Sequence, residues 1–172
     1  MSLIDSTEER KADRIASAEW LFGREADKLL RTCIHEYAHE AVALHFGATC
    51  SVRIWNAETG IEGHRGYGGH CAIYWLRSKR RSAVRLVGLA GMVAEAIVDC
   101  PEINVHDLAD YYQERFCDMS ESDSRLAGRV TRRDLRECLA LVRQLWPRIQ
   151  ENAQREIALW AKDPPTWTGP YS

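Results

Sequence analysis

The sequence predicts a mainly α-helical domain of the α+β kind, with a small β-sheet or hairpin beside one histidine-bearing helix. Three observations lead there. Apolar residues recur at three- and four-residue spacing over most of the chain. Only two short segments, 49–55 and 71–76, are rich in β-branched and aromatic residues, and a glycine-rich stretch joins them. The 172 residues, 45% hydrophobic and 28% charged, are enough for one hydrophobic core and too few for two comfortable ones.

Taken in order, Ile15, Trp20 and Leu21, then Leu29, Leu30, Ile34, Ala38, Ala41 and Val42, mark residues 8–46 as mostly helical, divided at Gly23. Gly47 supplies a helix stop. In "TCSVRIW" (49–55) Val52 and Ile54 share one face against Ser51, Arg53 and Trp55, the alternation of a half-buried strand. "ETGIEGHRGYGGH" (58–70) holds five glycines and reads as loop or hairpin leading into a second strand, "CAIYWL" (71–76). From Ser78 to Cys100 the helical period returns through Val84, Val87, Leu89, Ala90, Val93, Ile97 and Val98, and Pro101 ends it. A short helix is expected over 103–117, and "SESD" (120–123) starts another that places Leu126, Val130 and Leu135 inside the bundle. Leu139, Leu141, Leu145, Ile149, Ile157, Leu159 and Trp160 continue the signal, with a break expected near Pro147. The final "KDPPTWTGPYS" reads as extended or disordered.

Composition excludes several function classes. A formal charge of −2 gives no global attraction to nucleic acid or to an acidic membrane surface. The longest apolar run, "VGLAGMVAEAIV" (87–98), is interrupted by Glu95 and falls short of the roughly 20 residues of a membrane span. The amino-terminal "MSLIDSTEERKADR" lacks the apolar segment of a secretory signal. The six cysteines contain no C-x-x-C pair, so reduced thiols in a cytoplasmic protein are expected.

The chemistry lies in "RTCIHEYAHEAVALHFGATC" (31–50). On a helix His35 and His39 stand about 40° and one turn apart, so both imidazoles can grip one ion. With Glu36 beside them this is the H-E-x-x-H pattern, in which the histidines bind zinc and the glutamate takes a proton from the attacking water. A chance occurrence is expected on the order of once in fifty chains of this composition.

Catalytic zinc normally has three protein ligands and keeps one position for water. His45 has the spacing of the third metzincin histidine, but Val42 occupies the glycine position that lets that helix turn away. On a continuing helix His45 lies about 9 Å beyond His39 and about 120° round from it. It falls on the stripe of Ile34, Ala38 and Ala41 and reads as a core or helix-end histidine. Glu58 and Glu62, in the glycine-rich stretch, fit poorly as a third ligand because such a glutamate normally comes from a helix.

"HEYAHEAVALHFGA" followed by a strand, a glycine-rich stretch, "LVGLAGMVAEAIV" and then "ESDSRLAG" resembles the protease domain of the FtsH family of ATP-dependent zinc peptidases. That family carries an H-E-x-G-H helix, an L-G-G-R-x-A-E-E helix and an N-D-L-x-x-A segment whose aspartate is the third zinc ligand. The resemblance covers most of residues 25–135. It implies a zincin-like helical domain over 1–162 with 163–172 as tail, zinc as cofactor, His35, His39 and Asp123 as ligands, and Glu36 as base. Here Tyr37-Ala38 replaces the family's small pair ending in glycine, Ser122 and Ser124 flank the aspartate, and 101–119 stands as an insertion.

The residues themselves also read Asp123 as a helix-start carboxylate three positions after Ser120, which is compatible with ligation. Glu95, in the segment similar to A-E-E, either orients a zinc-binding histidine from behind or is a partly exposed helix glutamate. His64 and His70 either line a substrate groove or are solvated. "RSKRR" (77–81) either meets an acidic partner or nucleic acid or is a solvated face.

The expected activity is therefore that of a zinc metalloendopeptidase, with the strand at 71–76 aligning an extended peptide. No G-x-x-x-x-G-K-[ST] is present, so unfolded, short or flexible polypeptides are the expected substrates, and a separate ATPase or adaptor would have to deliver folded ones. The alternatives are a catalytically silent zinc-binding regulatory module and an ImmA-like site-specific peptidase acting on one regulator.

Overall fold

Helix α1 occupies residues 27–45 of the computed structural model, which describes residues 27–58, 65–75 and 80–160. The expected division at Gly23, residues 59–64 of the glycine-rich stretch, most of the basic run and the tail lie outside the described residues. Along α1 the stripe Leu29, Cys33, Ile34, Ala38, Ala41 and Val42 is buried. At its end the Gly47 N–H donates to the Leu44 carbonyl at 3.0 Å. Gly47 has φ +79°, a left-handed conformation that glycine adopts without strain.

Strands β1 (Ala48–Glu58) and β2 (Arg65–Trp75) form an antiparallel two-stranded sheet, with Ala48 opposite Trp75, Ile54 opposite Gly69 and Glu58 opposite Arg65. The second strand begins earlier than expected: residues 65–70, read from sequence as loop or hairpin, are paired. Close approach explains the glycines there. A Cβ on Gly68 would lie 2.5 Å from the Trp55 ring, and one on Gly69 would lie 2.6 Å from Glu36 Oε1, so glycine lets neighbouring side chains lie on the strand.

Helix α2 (Arg81–Asp99) runs through the centre, buried on nearly every side from Leu86 to Ile97. Helix α3 (Val105–Arg115) is capped by Asn104, whose side chain accepts from the His106 and Asp107 N–H groups at 2.8 and 3.2 Å, and a 3-10 turn follows at Phe116–Asp118. Within 101–119, the stretch read as an insertion, this helix buries Leu108 and Ala109 in the core. Helix α4 (Glu121–Ala127) starts at Ser120, whose hydroxyl accepts from the Asp123 N–H at 3.1 Å. Gly128, at φ +55°, closes it by donating to the Ser124 carbonyl at 2.9 Å.

Helix α5 (Arg132–Trp160) runs unbroken through Pro147, against the expected break. Pro147 and Arg143, the residue whose carbonyl loses its partner, are both on the exposed side, where water can satisfy that carbonyl. Val142, Ile149 and Ala153 anchor the helix to the core on either side, and packing offsets the roughly 3 kcal/mol that an interior proline costs.

Two contacts hold α4 in place. Gly88 of α2 abuts it: a Cβ there would meet the Ala127 backbone nitrogen at 2.5 Å and the Asp123 carbonyl at 2.8 Å. Backbone cannot step aside as a flexible side chain can. Gly88→Ala is therefore expected to destabilise the protein by about 2 kcal/mol, read as a lower urea midpoint; an unchanged midpoint would contradict this contact.

The second contact is a clasp. Arg85 donates to the Ala127 carbonyl at 3.2 Å and to Asp134 Oδ1 at 3.0 Å. Asp134 Oδ2 in turn accepts from the Thr131 N–H and hydroxyl at 2.8 and 2.6 Å, a capping box at the start of α5. Burial alone would raise the pKa of Asp134, but the bonds from Thr131 and Arg85 outweigh it and hold the carboxyl below its ordinary range. A carboxyl depressed in the folded state stabilises above its unfolded pKa of about 3.9, and that contribution fades as pH falls through the folded value. Asp134→Ala is expected to cost about 2 kcal/mol at neutral pH and much less in acid. Urea midpoints of both proteins across that range measure the difference, and a gap that widens on acidification would be inconsistent with it.

Candidate metal centre and cleft

Two helices, α1 and α4, bring the predicted ligands together. Helix α1 contributes His35 and His39, whose Nε2 atoms are 3.1 Å apart. Helix α4 contributes Asp123, with Oδ2 3.4 Å from His35 Nε2 and Oδ1 3.3 Å from His39 Nε2. Among the described residues this is a group whose donor atoms are close enough to share one ion.

The far side of each ring fixes its tautomer. His35 Nδ1 lies 2.7 Å from Glu95 Oε1, and His39 Nδ1 lies 2.7 Å from the Val87 carbonyl oxygen. Ionised carboxylate and carbonyl oxygens only accept, so both Nδ1 atoms carry the proton and donate. Both Nε2 atoms then turn lone pairs toward each other and toward a carboxylate. That arrangement is repulsive unless positive charge sits between the donors.

The pKa directions express the same demand. Burial opposes charge on His35, but Asp123 and Glu95 outweigh it and push its pKa up to about 10. Burial likewise disfavours ionised Asp123, and the two histidines with Ser120 overcome this and hold its carboxyl far below the ordinary range. A proton or a metal cation can supply the charge.

The spacing suits a metal. Donors held tetrahedrally about 2.0–2.1 Å from zinc lie about 3.3 Å from one another; the two Nε2 atoms are 3.1 Å apart and each has one Asp123 oxygen at a similar distance, Oδ2 at 3.4 Å from His35 and Oδ1 at 3.3 Å from His39. Two imidazoles and one carboxylate also match the donor types of catalytic zinc sites with an open fourth position. Gly91 of α2 keeps the space clear, since a Cβ there would lie 2.5 Å from His35 Cε1 and 2.6 Å from His39 Nε2. The residues fit the ion.

Glu36 is 8% exposed and rests against Gly69 of β2. Burial raises its pKa, and His39 and His35 draw it back. The metal group and Glu36 open onto a cleft of about 440 Å³. One side is the length of β2 from Gly69 to Trp75, and the other is formed by Val84 and Val87 of α2 with Leu126 of α4.

Other candidates are placed elsewhere. His45 is exposed at the end of α1 with its ring 5.0 Å from that of Phe46; the helix continues through Val42, so the histidine cannot swing back, and it is not in the core. Glu58 pairs with Arg65 at the loop end of the hairpin, while Glu62 and His64 lie outside the described residues. His70 is exposed on β2 and borders the cleft. Glu95 meets both of its descriptions, being about a quarter exposed and bonded to His35. Sequence reasoning missed the Val87 carbonyl and the roles of Gly69, Gly88 and Gly91. The small residues of "VGLAGMVAEA" were the available signal for close packing around a site.

Among protein-family models none matches this chain, and the search of curated proteins returns no match either.

Proposed function

We propose that this protein is a zinc-dependent metallopeptidase that hydrolyses peptide bonds in unfolded or flexible polypeptides, akin to an FtsH-type protease domain. The observation that carries the proposal is the convergence of two Nε2 atoms and the Asp123 carboxylate oxygens, at 3.1–3.4 Å, beside a buried glutamate in an open cleft. His35, His39 and Asp123 would hold the ion. Bound there, zinc would polarise the scissile carbonyl and acidify water.

The chain's own residues supply the rest. Glu36 takes the proton from water and later delivers it to the leaving amine, a task helped by a carboxyl whose pKa burial has raised. Glu95 and the Val87 carbonyl keep both rings in the ligating orientation. β2 is hydrogen-bonded to β1 in a two-stranded sheet and borders the cleft, so its other edge can receive an extended peptide by strand addition.

No described helix is long and apolar enough to cross a membrane. All six cysteines are free thiols, which favours the cytoplasm within this reading. The test is the metal content of the purified protein set beside cleavage of an unfolded substrate by wild type and Glu36→Gln. Bound zinc without cleavage in either would favour a binding module, and cleavage of one partner protein alone would favour a site-specific peptidase.

A further inference from the structure

We propose that Cys50 and Cys71, diagonal neighbours across the hairpin beside the metal cleft, are a site of reversible oxidation whose disulfide reshapes that cleft. The register pairs Cys50 with Ile73 and Val52 with Cys71, so both cysteines lie on one face of the sheet, two residues out of step. That face is turned toward α1. A Cβ on Gly69, two residues before Cys71, would meet Glu36, and the Cys50 thiol points to the Glu40 carbonyl oxygen at 4.0 Å. Both thiols are half-buried and neither is in a disulfide. Cys71 lines the cleft onto which His35, Glu36, His39 and Asp123 open. The covalent step does not depend on the peptidase reading.

The two sulfurs are not equivalent. Burial raises the pKa of both, and the hydrogen bond they share draws Cys50 back down and pushes Cys71 further up, with the Glu36 charge adding to the rise at Cys71. Cys50 is therefore the thiol that ionises first. Its thiolate attacks hydrogen peroxide and becomes a sulfenic acid, and the second peroxide oxygen leaves as water with the thiol proton. The Cys71 sulfur then attacks the Cys50 sulfur: the S–S bond forms, the S–O bond breaks, and the hydroxyl leaves as water with the Cys71 proton. Peroxide gains two electrons and each thiol supplies one. Half-burial makes this slower than oxidation of the exposed Cys100 and Cys117, so the pair responds to sustained peroxide.

Closing the bond moves the strand. Diagonal neighbours in an antiparallel pair stand ~7–8 Å apart at their Cα atoms, whereas a disulfide holds them at roughly 4.4–6.8 Å. Cys71 must therefore be drawn toward β1. The same backbone carries Gly69, which rests against Glu36, and Ile73, which lines the cleft. A disulfide under such distortion is also readily reduced, as suits a reversible mark.

Peptide mapping by mass spectrometry tests this on the whole chain, reduced, diluted and then held in hydrogen peroxide. A peptide pair joined through Cys50 and Cys71, lighter by two hydrogens than its separate halves, should accumulate and then disappear with dithiothreitol. In Cys71→Ser the reaction should stop at a Cys50 sulfenic acid, trapped by dimedone in larger yield than Cys71 is in Cys50→Ser. Hydrogen exchange over residues 69–73 should quicken about fivefold in the cross-linked form, the equivalent of one weakened ladder hydrogen bond. The same peroxide should leave exchange in Cys50→Ser unchanged. Oxidation confined to other cysteines, or a Cys50–Cys71 bond with unaltered exchange, would overturn the proposal, and dimedone favouring Cys71 would overturn its order of attack. Casein cleavage by the same samples keeps the two readings apart. A cross-link in protein that never cleaves retains this site and removes the peptidase; cleavage by protein that forms no cross-link does the reverse.

Discussion

Glu36→Gln protein is expected to retain zinc at the wild-type level while its kcat/KM on an unfolded substrate falls by about 10³-fold. The substitution is nearly isosteric, so contact with Gly69 is kept and the fold has no reason to change. What is lost is the ability to accept a proton, because an amide oxygen is a far weaker base than a carboxylate. Glu36 is poised for that role by burial, which lifts its pKa, and by the adjacent histidines, which keep the lift moderate. Parallel measurement of metal content and steady-state kinetics separates the two effects. Turnover that survives the change would remove Glu36 from the mechanism, and loss of metal together with activity would recast it as structural.

Asp123→Ala should give the largest change in metal affinity, a loss on the order of 10³-fold, beyond the 10- to 100-fold typical when only an outer hydrogen-bond partner is removed. Its carboxylate contacts both Nε2 atoms, at 3.4 and 3.3 Å, so its removal leaves two neutral donors and no anionic one. Local structure should survive, because the α4 cap uses the Asp123 backbone N–H and the Ser120 hydroxyl, not the carboxylate. Competition with a chelator of known affinity, alongside circular dichroism, measures this. Wild-type affinity in Asp123→Ala would mean that the ion is held without α4. Removing Glu95, which touches only the far nitrogen of His35, should cost less than removing Asp123, and that ordering is itself a check.

The contrast between these residues tracks how much of the site could be read from sequence. His35, Glu36 and His39 follow from helical periodicity, because four residues make one turn wherever the helix sits. Asp123 came only through resemblance to a family segment, since local pattern identified it merely as a helix-start acid. The hairpin glycines misled for a related reason: local propensity assigns glycine to loops, whereas Gly68 and Gly69 are in a strand because Trp55 and Glu36 occupy the space a side chain would need. Pro147 repeats the lesson, its local penalty offset by core packing on both sides.

The sequence by itself determined the succession of helices around a small β segment and the pairing of two imidazoles with a carboxylate on one helical turn, because these depend on interactions among residues a few positions apart. Only the tertiary structure decided that Val87, Glu95 and Asp123, which are 48 residues from His39 and then 60 and 88 from His35, meet around those imidazoles. That meeting depends on how closely α2 can approach α1 and α4. Hydrogen atoms at Gly88 and Gly91, in place of side chains, permit the approach, and no local periodicity records a contact between segments so far apart.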